Sequence, residues 1–444
     1  MTDALTHRRV LRVAAPIVLS NATVPILGAV DTGVVGQLGE AAPIAAVGVG
    51  AIVLTSVYWA FGFLRMGTTG LAAQALGRGE ADEASALLSR ALLIALAAGL
   101  LLIAGQAAIF AAAFAVSPAT PAVEALARDY MAIRILSAPA AIAVYGLTGW
   151  LIAQERTVAV LAIQVGMNGA NIALDLWFVL GLGWGVEGVA WATFLAEWGG
   201  AALGLWLCRD AFARPAWREP ARVFEAARLR RMLVVNGDIM IRSVLLQAIF
   251  TSFLLYGGAF GDVALAANQV LLQFLYVTAY AMDGFAFAVE ALVGRYFGAG
   301  DRARLRRAVV MCGQWGAGTV AVLALAFALG GGRIVDLMAT DPAVREAARL
   351  YLPWMVLAPL VGLWSWMLDG VFIGATRTRD MRDMMILSAA IYLAALLALV
   401  PVFGNHGLWA ALMVSFAARG LTLGARYPAL ERAASQEAAR AASG

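Results

Sequence analysis

The sequence predicts an all-α integral membrane protein with twelve transmembrane helices, built as two parallel six-helix repeats, an N-lobe and a C-lobe, around a central cavity. Composition, the spacing of apolar runs and an internal repeat support this prediction. The chain of 444 residues is 62% hydrophobic and 14% charged, and its mean hydropathy is +0.82. Soluble domains are about half apolar and about a quarter charged, so most of this surface must face lipid.

Apolar runs long enough to cross a bilayer recur from one end of the chain to the other. A hydrocarbon core about 30 Å thick requires about 20 apolar residues per helix. The first run follows Arg8, Arg9 and Arg12 and has no clear small-residue cleavage site, so it is predicted to be an uncleaved span. The twelve predicted spans lie near 9–36, 43–75, 84–115, 121–150, 157–181, 186–208, 229–257, 263–292, 303–331, 342–371, 381–401 and 407–430.

An internal repeat relates the two halves of the chain. PAVEALARDY at 121–130 matches PAVREAARLY at 342–351, an offset of 221 residues (342 minus 121). At the same offset GWLIAQERT, from 149, matches GVFIGATRT, from 370, and GRGE, from 77, matches GAGD, from 298. An offset of six helices gives both halves the same orientation, as in parallel-repeat transporters. The predicted domains are an N-lobe at 1–208, a cytoplasmic linker at 209–228 and a C-lobe at 229–444.

The charged residues exclude several functions. All 32 basic residues are arginine, whereas a Walker A loop and Schiff-base catalysis both require lysine. The arginines are dispersed among apolar runs and form no basic face, so nucleic acid is not expected as a partner. Most of them lie on the side of the N-terminus, and the positive-inside rule therefore places both termini in the cytoplasm. The two cysteines, Cys208 and Cys312, have no metal or disulfide spacing and are predicted to be inert packing residues.

Polar residues form a stripe on predicted span 5. Their spacings of 4, 3 and 4 residues put them on one face of a helix. Polar groups at membrane depth are costly, so the stripe either lines a functional site or forms structural hydrogen bonds between helices. Its members are Gln164, Asn168, Asn171 and Asp175.

A second stripe on predicted span 8 combines amide, aromatic and carboxylate groups at alternating steps of 4 and 3 residues. Such a face suits lipophilic cations through cation–π attraction and charge pairing, and the alternative is a packing seam between the lobes. We expect the substrate cavity to be lined by Gln164, Asn168, Gln273, Tyr276, Tyr280, Asp283 and Glu290.

Span 1 carries the strongest single candidate for an ion-coupling residue. Asp31 lies in an otherwise apolar run and has no basic residue within one helical turn. It follows Pro16 and Pro25, and each proline removes a backbone donor from the helix. We therefore predict a conformational hinge at these two prolines.

Two further acidic residues in the spans are predicted to form ion pairs. Asp238 and Arg242 are one turn apart in span 7 and are expected to neutralise each other. Asp369 ends span 10 near cytoplasmic arginines, where a surface ion pair is expected.

Five segments of the chain resemble the multidrug and toxic compound extrusion (MATE) family. In the order given below, the first three segments resemble the family as a whole, and the last two segments resemble its bacterial DinF branch. The segments are PIVLSNATVPILGAVDTG (16–33), FGFLRMGTTG (61–70), DGFAFAVE (283–290), DGVFIGATR (369–377) and GNHGLW (404–409).

The resemblance implies a V-shaped pair of lobes that exchanges H⁺ or Na⁺ for organic, often cationic compounds. In DinF-like members the N-lobe ion site uses an aspartate of span 1, an Asn and an Asp one turn apart in span 5, and a threonine of span 6. No other metal and no cofactor are implied. The residues of this chain that match the motif are Asp31, Asn171, Asp175 and Thr193.

The predicted function is a secondary active multidrug efflux antiporter, and not an enzyme. It would act on drug-like, lipophilic cationic compounds as a monomer in the bacterial inner membrane. A lipid-linked precursor flippase of the same superfamily is the alternative, and it would show a cationic cavity for pyrophosphate. A passive channel is a further alternative, whereas no motif of an intramembrane enzyme is present in the sequence.

Overall fold

Helices make up all regular secondary structure that the computed structural model describes, which covers residues 4–37, 41–116 and 119–443. In this part of the chain nine helices are long and apolar enough to cross a bilayer. The last of them, Thr378–Ser443, is broken at Gly404 and consists of two helices. Two more long helices, His7–Gly36 and Gly185–Leu207, complete a set of twelve within the described residues.

We number these helices in chain order. The predicted fold class, an all-α membrane protein of twelve helices, is confirmed. The helices are α1 His7–Gly36, α2 Ala41–Gly77, α3 Ala81–Ala104, α4 Pro121–Ala153, α5 Thr157–Gly181, α6 Gly185–Leu207, α7 Ala226–Gly258, α8 Asp262–Gly298, α9 Arg302–Met338, α10 Pro342–Gly374, α11 378–403 and α12 405–443.

The ends of α4 and α10 correspond to each other at the offset of the sequence repeat. Each helix has proline at its first position, and the preceding Thr120 or Asp341 caps a backbone N–H with its side chain. Two residues after its end, each is followed by a left-handed residue that is not glycine, Glu155 with φ 60° and Thr376 with φ 47°. The hydrogen bonds at both ends are those of a Schellman motif, which satisfies the last carbonyl groups of a helix.

Two further pairs of left-handed residues repeat at the same offset. Gly79 and Gly300 have φ values of 79° and 69°, and Gly183 and Gly404 have values of 70° and 56°. These residues lie in the turns after α2, α8, α5 and α11. Glycine adopts this conformation without the steric cost of a Cβ atom. The repeat in the sequence is therefore also a repeat of backbone geometry.

The chain forms two compact units. One consists of Leu19–Ala72 and Glu80–Met232, and the other of Met1–Val18, Ala73–Gly79 and Leu233–Gly444. The first unit is called unit N and the second unit C. The helices α1, α2 and α7 each pass from one unit to the other.

Each unit has its own apolar core. In unit N, Leu54, Met131 and Val189 bring α2, α4 and α6 together. In unit C, the ring of Phe253 meets that of Trp409 edge to face, with centroids 4.6 Å apart. These positions are at most 1% exposed. The buried faces of the helices are consequently apolar, as burial of hydrophobic area requires.

The segment after α6 packs against α3 within unit N. It forms short helical turns at Arg209–Phe212, Pro215–Arg218 and Pro220–Val223. Arg90 on α3 donates from Nε to the carbonyl oxygen of Val223 at 2.9 Å, and its guanidinium also pairs with Glu83 at 2.7 Å. The predicted boundaries of N-lobe, linker and C-lobe stay predictions.

Candidate functional site

The polar stripe of α5 forms a chain of hydrogen bonds inside unit N. Gln164 donates from Nε2 to Oδ1 of Asn168 at 3.1 Å, and Asn168 donates from Nδ2 to Oγ1 of Thr23 on α1 at 2.8 Å. One turn further, Asn171 donates from Nδ2 to Oδ2 of Asp175 at 3.2 Å. Asn168, Asn171 and Asp175 are all buried. The predicted common face of the helix therefore turns into the protein.

Asn171, Asp175 and Thr193 lie together, as the family motif implied. Nδ2 of Asn171 also lies 3.3 Å from Oγ1 of Thr193, which itself donates to the Val189 carbonyl oxygen at 3.0 Å. The amide oxygen Oδ1 of Asn171 is buried and has no hydrogen-bond partner among the described residues. A buried polar atom of this kind normally binds water or an ion.

These three side chains offer carboxylate, amide and hydroxyl oxygens, which are the ligands that hard cations prefer. Within the described part of the chain, no group of three or more His, Cys, Asp or Glu side chains could hold a metal ion. Oxygen ligands of this kind suit a small hard cation or a proton, whereas imidazole and thiolate ligands suit transition metals.

The helix changes geometry directly after Asp175. The α-helical part of α5 ends at Asp175, and Leu176–Gly181 continues as a π-helix. A π segment widens the helical turn and is frequently found at functional sites. The site carboxylate therefore lies at the junction of two helix types.

The contact between Thr23 and Asn168 joins α1 to α5. Asp31, the remaining residue of the family motif, follows Thr23 by eight residues on α1. Its side chain lies outside the described part of the structure, so its part in an ion site stays a prediction.

Helix α1 continues through both of its prolines. Pro16 and Pro25 lie inside His7–Gly36. The border between the two compact units falls between Val18 and Leu19, and so between the prolines. A hinge at these positions stays a prediction.

The predicted cavity stripe of α8 is only partly exposed. Gln273 and Tyr276 are exposed, Tyr280 and Asp283 are partly buried, and Glu290 is only 1% exposed. A Cβ atom on Gly374 of α10 would lie 2.3 Å from the carbonyl oxygen of Glu290, so the two backbones are in close contact. The role of this stripe in substrate binding stays a prediction, and Glu290 is its most deeply buried member.

The predicted neutralisation of Asp238 by Arg242 is wrong. Asp238 instead accepts from Nη1 of Arg382 at 2.7 Å and from Oγ1 of Thr378 at 3.0 Å. Both partners lie on the first turns of α11. Asp238 therefore binds residues of the neighbouring helix α11, and it does not use Arg242, which lies one turn away on its own helix.

The predicted surface ion pair of Asp369 is also wrong. Asp369 is buried at 6% exposure and accepts hydrogen bonds from two arginines. Nη2 of Arg419 on α12 lies 2.7 Å from Oδ2, and Nη2 of Arg242 on α7 binds the same oxygen. Three helices thus converge on one carboxylate.

A buried ion pair in unit N was missed by the sequence analysis. Arg134 donates from Nη2 to Oε1 of Glu197 at 2.8 Å, and Ser137 binds the other carboxylate oxygen. Tyr130 accepts from Nη1 of Arg134 at 2.9 Å, and Tyr58 donates to the Arg134 carbonyl oxygen at 3.0 Å. The signal was present, because Glu197 lies inside an apolar span and such a residue requires a partner.

Comparisons with known proteins find similar sequences along almost the whole chain. The MatE family model matches residues 16–177 and again 239–400, as expected for a tandem repeat. The chain is 41% identical over 417 residues to DNA damage-inducible protein F of Escherichia coli (strain K12), a match that covers 93% of this chain and 90% of that protein. It is 30% identical to "Probable multidrug resistance protein NorM" of Pseudomonas aeruginosa, over 94% of this chain and 88% of that protein.

Solved structures show the same fold. The Vibrio cholerae MATE transporter VcmN in the bent form superimposes with a TM-score of 0.86, covering 97% of this chain and 98% of the other at 18% sequence identity. At this identity the likeness establishes the fold alone.

Proposed function

This chain belongs to the MatE family, whose members are transporters and not enzymes, and from that premise we propose that it exchanges H⁺ or Na⁺ for organic, lipophilic cationic compounds. As a family member it is a multi-pass membrane protein of the multidrug efflux class. The ion exchange, the cationic substrates, a monomeric state and an inner-membrane location with both termini in the cytoplasm belong to the proposal.

The oxygen cluster of α5 and α6 is the single observation that carries the ion-coupling proposal. Asp175 is 0% exposed, and the unpartnered amide oxygen of Asn171 lies in the same cluster. A buried carboxylate is costly unless a cation or a proton balances its charge. The family motif adds the carboxylate of Asp31 on α1 to the proposed site.

Two carboxylates that share a site of low dielectric repel each other, and binding of a proton or of Na⁺ removes the repulsion. In the proposed mechanism this change lets α1 rearrange near Pro16 and Pro25. The ion drives transport only if its affinity differs between the two conformations, because equal affinity shifts no equilibrium.

The flippase alternative is weakened by the contacts of three interior arginines. Arg134, Arg242 and Arg419 are each at most 7% exposed, and each contacts a carboxylate. These guanidinium groups take part in packing between helices and offer no open cationic surface for a pyrophosphate.

Efflux from proteoliposomes tests the proposal. The purified full chain is reconstituted with an internal dye such as ethidium, first under a pH gradient without Na⁺ and then under a Na⁺ gradient without a pH gradient. We expect one gradient to drive transport by the wild type, whereas Asp175→Asn reduces it to the level of protein-free liposomes because asparagine cannot titrate. Asp262→Asn, at an exposed position on the first turn of α8, serves as the control and should transport normally.

Undiminished transport by Asp175→Asn would show that the oxygen cluster does not couple the ion. Transport by the wild type that needs neither gradient would instead identify a passive channel.

A further inference from the structure

An apolar groove lies on unit C between α9, α10 and α12. Its volume is about 750 Å³, within the range of about 300–1,000 Å³ that is typical of ligand sites. Val310, Trp364 and Leu421 line it and are 48%, 47% and 75% exposed. Large exposed apolar side chains on membrane-spanning helices are suited to contact with lipid tails.

The groove has the length of one lipid leaflet. Along α12 its lining runs from Ala417 to Tyr427, and the ten residue steps between them rise roughly 15 Å. A bilayer core is about 30 Å thick, so one leaflet accounts for about half of that. Gly420 and Gly424 lie on the same wall, and their missing side chains leave the depth of the groove free.

The mouth of the groove is positively charged. Arg306, at one end of the lining, has a side chain that is 71% exposed. Glu431 lies 3.0 Å from Arg302 and 3.8 Å from Arg306, so one carboxylate faces two guanidinium groups. The positive end of the α9 macrodipole lies at the same place, because α9 begins at Arg302. An anionic group is therefore favoured there.

We propose that this groove binds an anionic phospholipid, with an acyl chain along α12 and the headgroup phosphate at Arg306. The proposal follows from two features of the groove. The apolar wall of leaflet length suits an acyl chain, and the positive charge at its mouth suits a phosphate. It does not depend on which ion drives transport.

Native mass spectrometry of the purified full chain tests the proposal. The protein is titrated with dioleoyl phosphatidylglycerol and, in parallel, with zwitterionic dioleoyl phosphatidylcholine. We expect tighter retention of phosphatidylglycerol by the wild type, and a loss of about five-fold in its apparent affinity in Arg306→Gln, which corresponds to ~1 kcal/mol for one arginine near an anionic surface. Arg307→Gln, the exposed neighbour outside the groove, should behave as the wild type.

A second variant tests the acyl chain separately. A Cβ atom on Gly424 would meet only Leu368, at 3.9 Å, so Gly424→Leu fills the groove without a backbone clash. We expect it to reduce retention of both lipids, whereas Gly318→Leu, on α9 with no atom within 4 Å of its Cβ position, should not.

Equal retention of both lipids, or an unchanged preference in Arg306→Gln, would overturn the proposal and leave only unspecific boundary lipid. The proposal would also be overturned if the wild type had the mass of two protein chains and Gly424→Leu had the mass of one. That result would assign the groove to a second copy of the protein.

Discussion

Asp369 lies in an environment that its sequence context does not indicate. It is buried between Arg242 and Arg419, and a single carboxylate oxygen accepts from both guanidinium groups. Removal of one partner from a buried ionic cluster leaves uncompensated charge, which is costly even when the complete cluster adds little stability.

We therefore expect Asp369→Asn to lower the free energy of unfolding by about 3–5 kcal/mol, because two buried arginines would face each other without a counter-charge. Thermal unfolding in detergent measures the effect. The matched control is Asp336→Asn, which removes an exposed ion pair with Arg349 and should cost at most about 1 kcal/mol. Equally small losses in both variants would mean that the Asp369 charge is not needed for stability.

The turn between α11 and α12 illustrates how one element depends on several local features. Gly404 has φ 56°, a left-handed conformation that breaks the long helix. Asn405 and Asn268 on α8 exchange two side-chain hydrogen bonds of 2.8 and 2.9 Å. A Cβ atom on Gly407 would lie 2.2 Å from the carbonyl oxygen of Leu399. The DinF-like segment that begins at Gly404 thus encodes the geometry of a turn.

Gly407→Ala should destabilise the protein by about 1–3 kcal/mol, the cost typical of overpacking a well-packed site, because a backbone oxygen has to move. Gly318→Ala has free space on a regular helix and should instead stabilise by roughly 0.5–1 kcal/mol. The two melting temperatures, measured in the same detergent, should shift in opposite directions. A tolerated Gly407→Ala would show that the turn can open without cost.

In unit C, two helices cross at positions that correspond to each other in the internal repeat. A Cβ atom on Gly77 would lie 2.1 Å from the carbonyl oxygen of Arg295, and one on Gly298 would lie 2.2 Å from that of Gln74. Positions 77 and 298 correspond at the offset of 221 residues, as do 74 and 295. The contact therefore pairs equivalent positions of the two repeats. Close approach of two helix backbones requires glycine at the crossing.

Gly298→Val should open this crossing, because the added side chain cannot fit against a backbone oxygen. We expect faster maleimide labelling of a cysteine introduced by Ala73→Cys, a position that is 0% exposed. Gly330→Val, whose Cβ position has no atom within 4 Å, is the control and should leave the rate unchanged.

The background of this experiment should be low, since both native cysteines are buried. Burial raises the pKa of the Cys208 thiol to about 12, so it stays protonated and unreactive at neutral pH. If the Gly298→Val protein were labelled at the same rate as the Ala73→Cys protein without it, the crossing would not be what protects position 73.

The spans, the repeat and the α5 stripe could be predicted from the sequence, because each of these follows from local periodicity or from comparison of the chain with itself. The face shared by Gln164, Asn168, Asn171 and Asp175 is a property of one helix and needs no knowledge of its neighbours. The partners of the buried charges, in contrast, depend on how the helices pack. Asp238 binds a residue of α11 and Asp369 binds residues of α7 and α12, although one-turn spacing had favoured Arg242 for Asp238. Helix packing brings together residues that are 50 to 144 positions apart, and the spacing along a single helix carries no record of that contact.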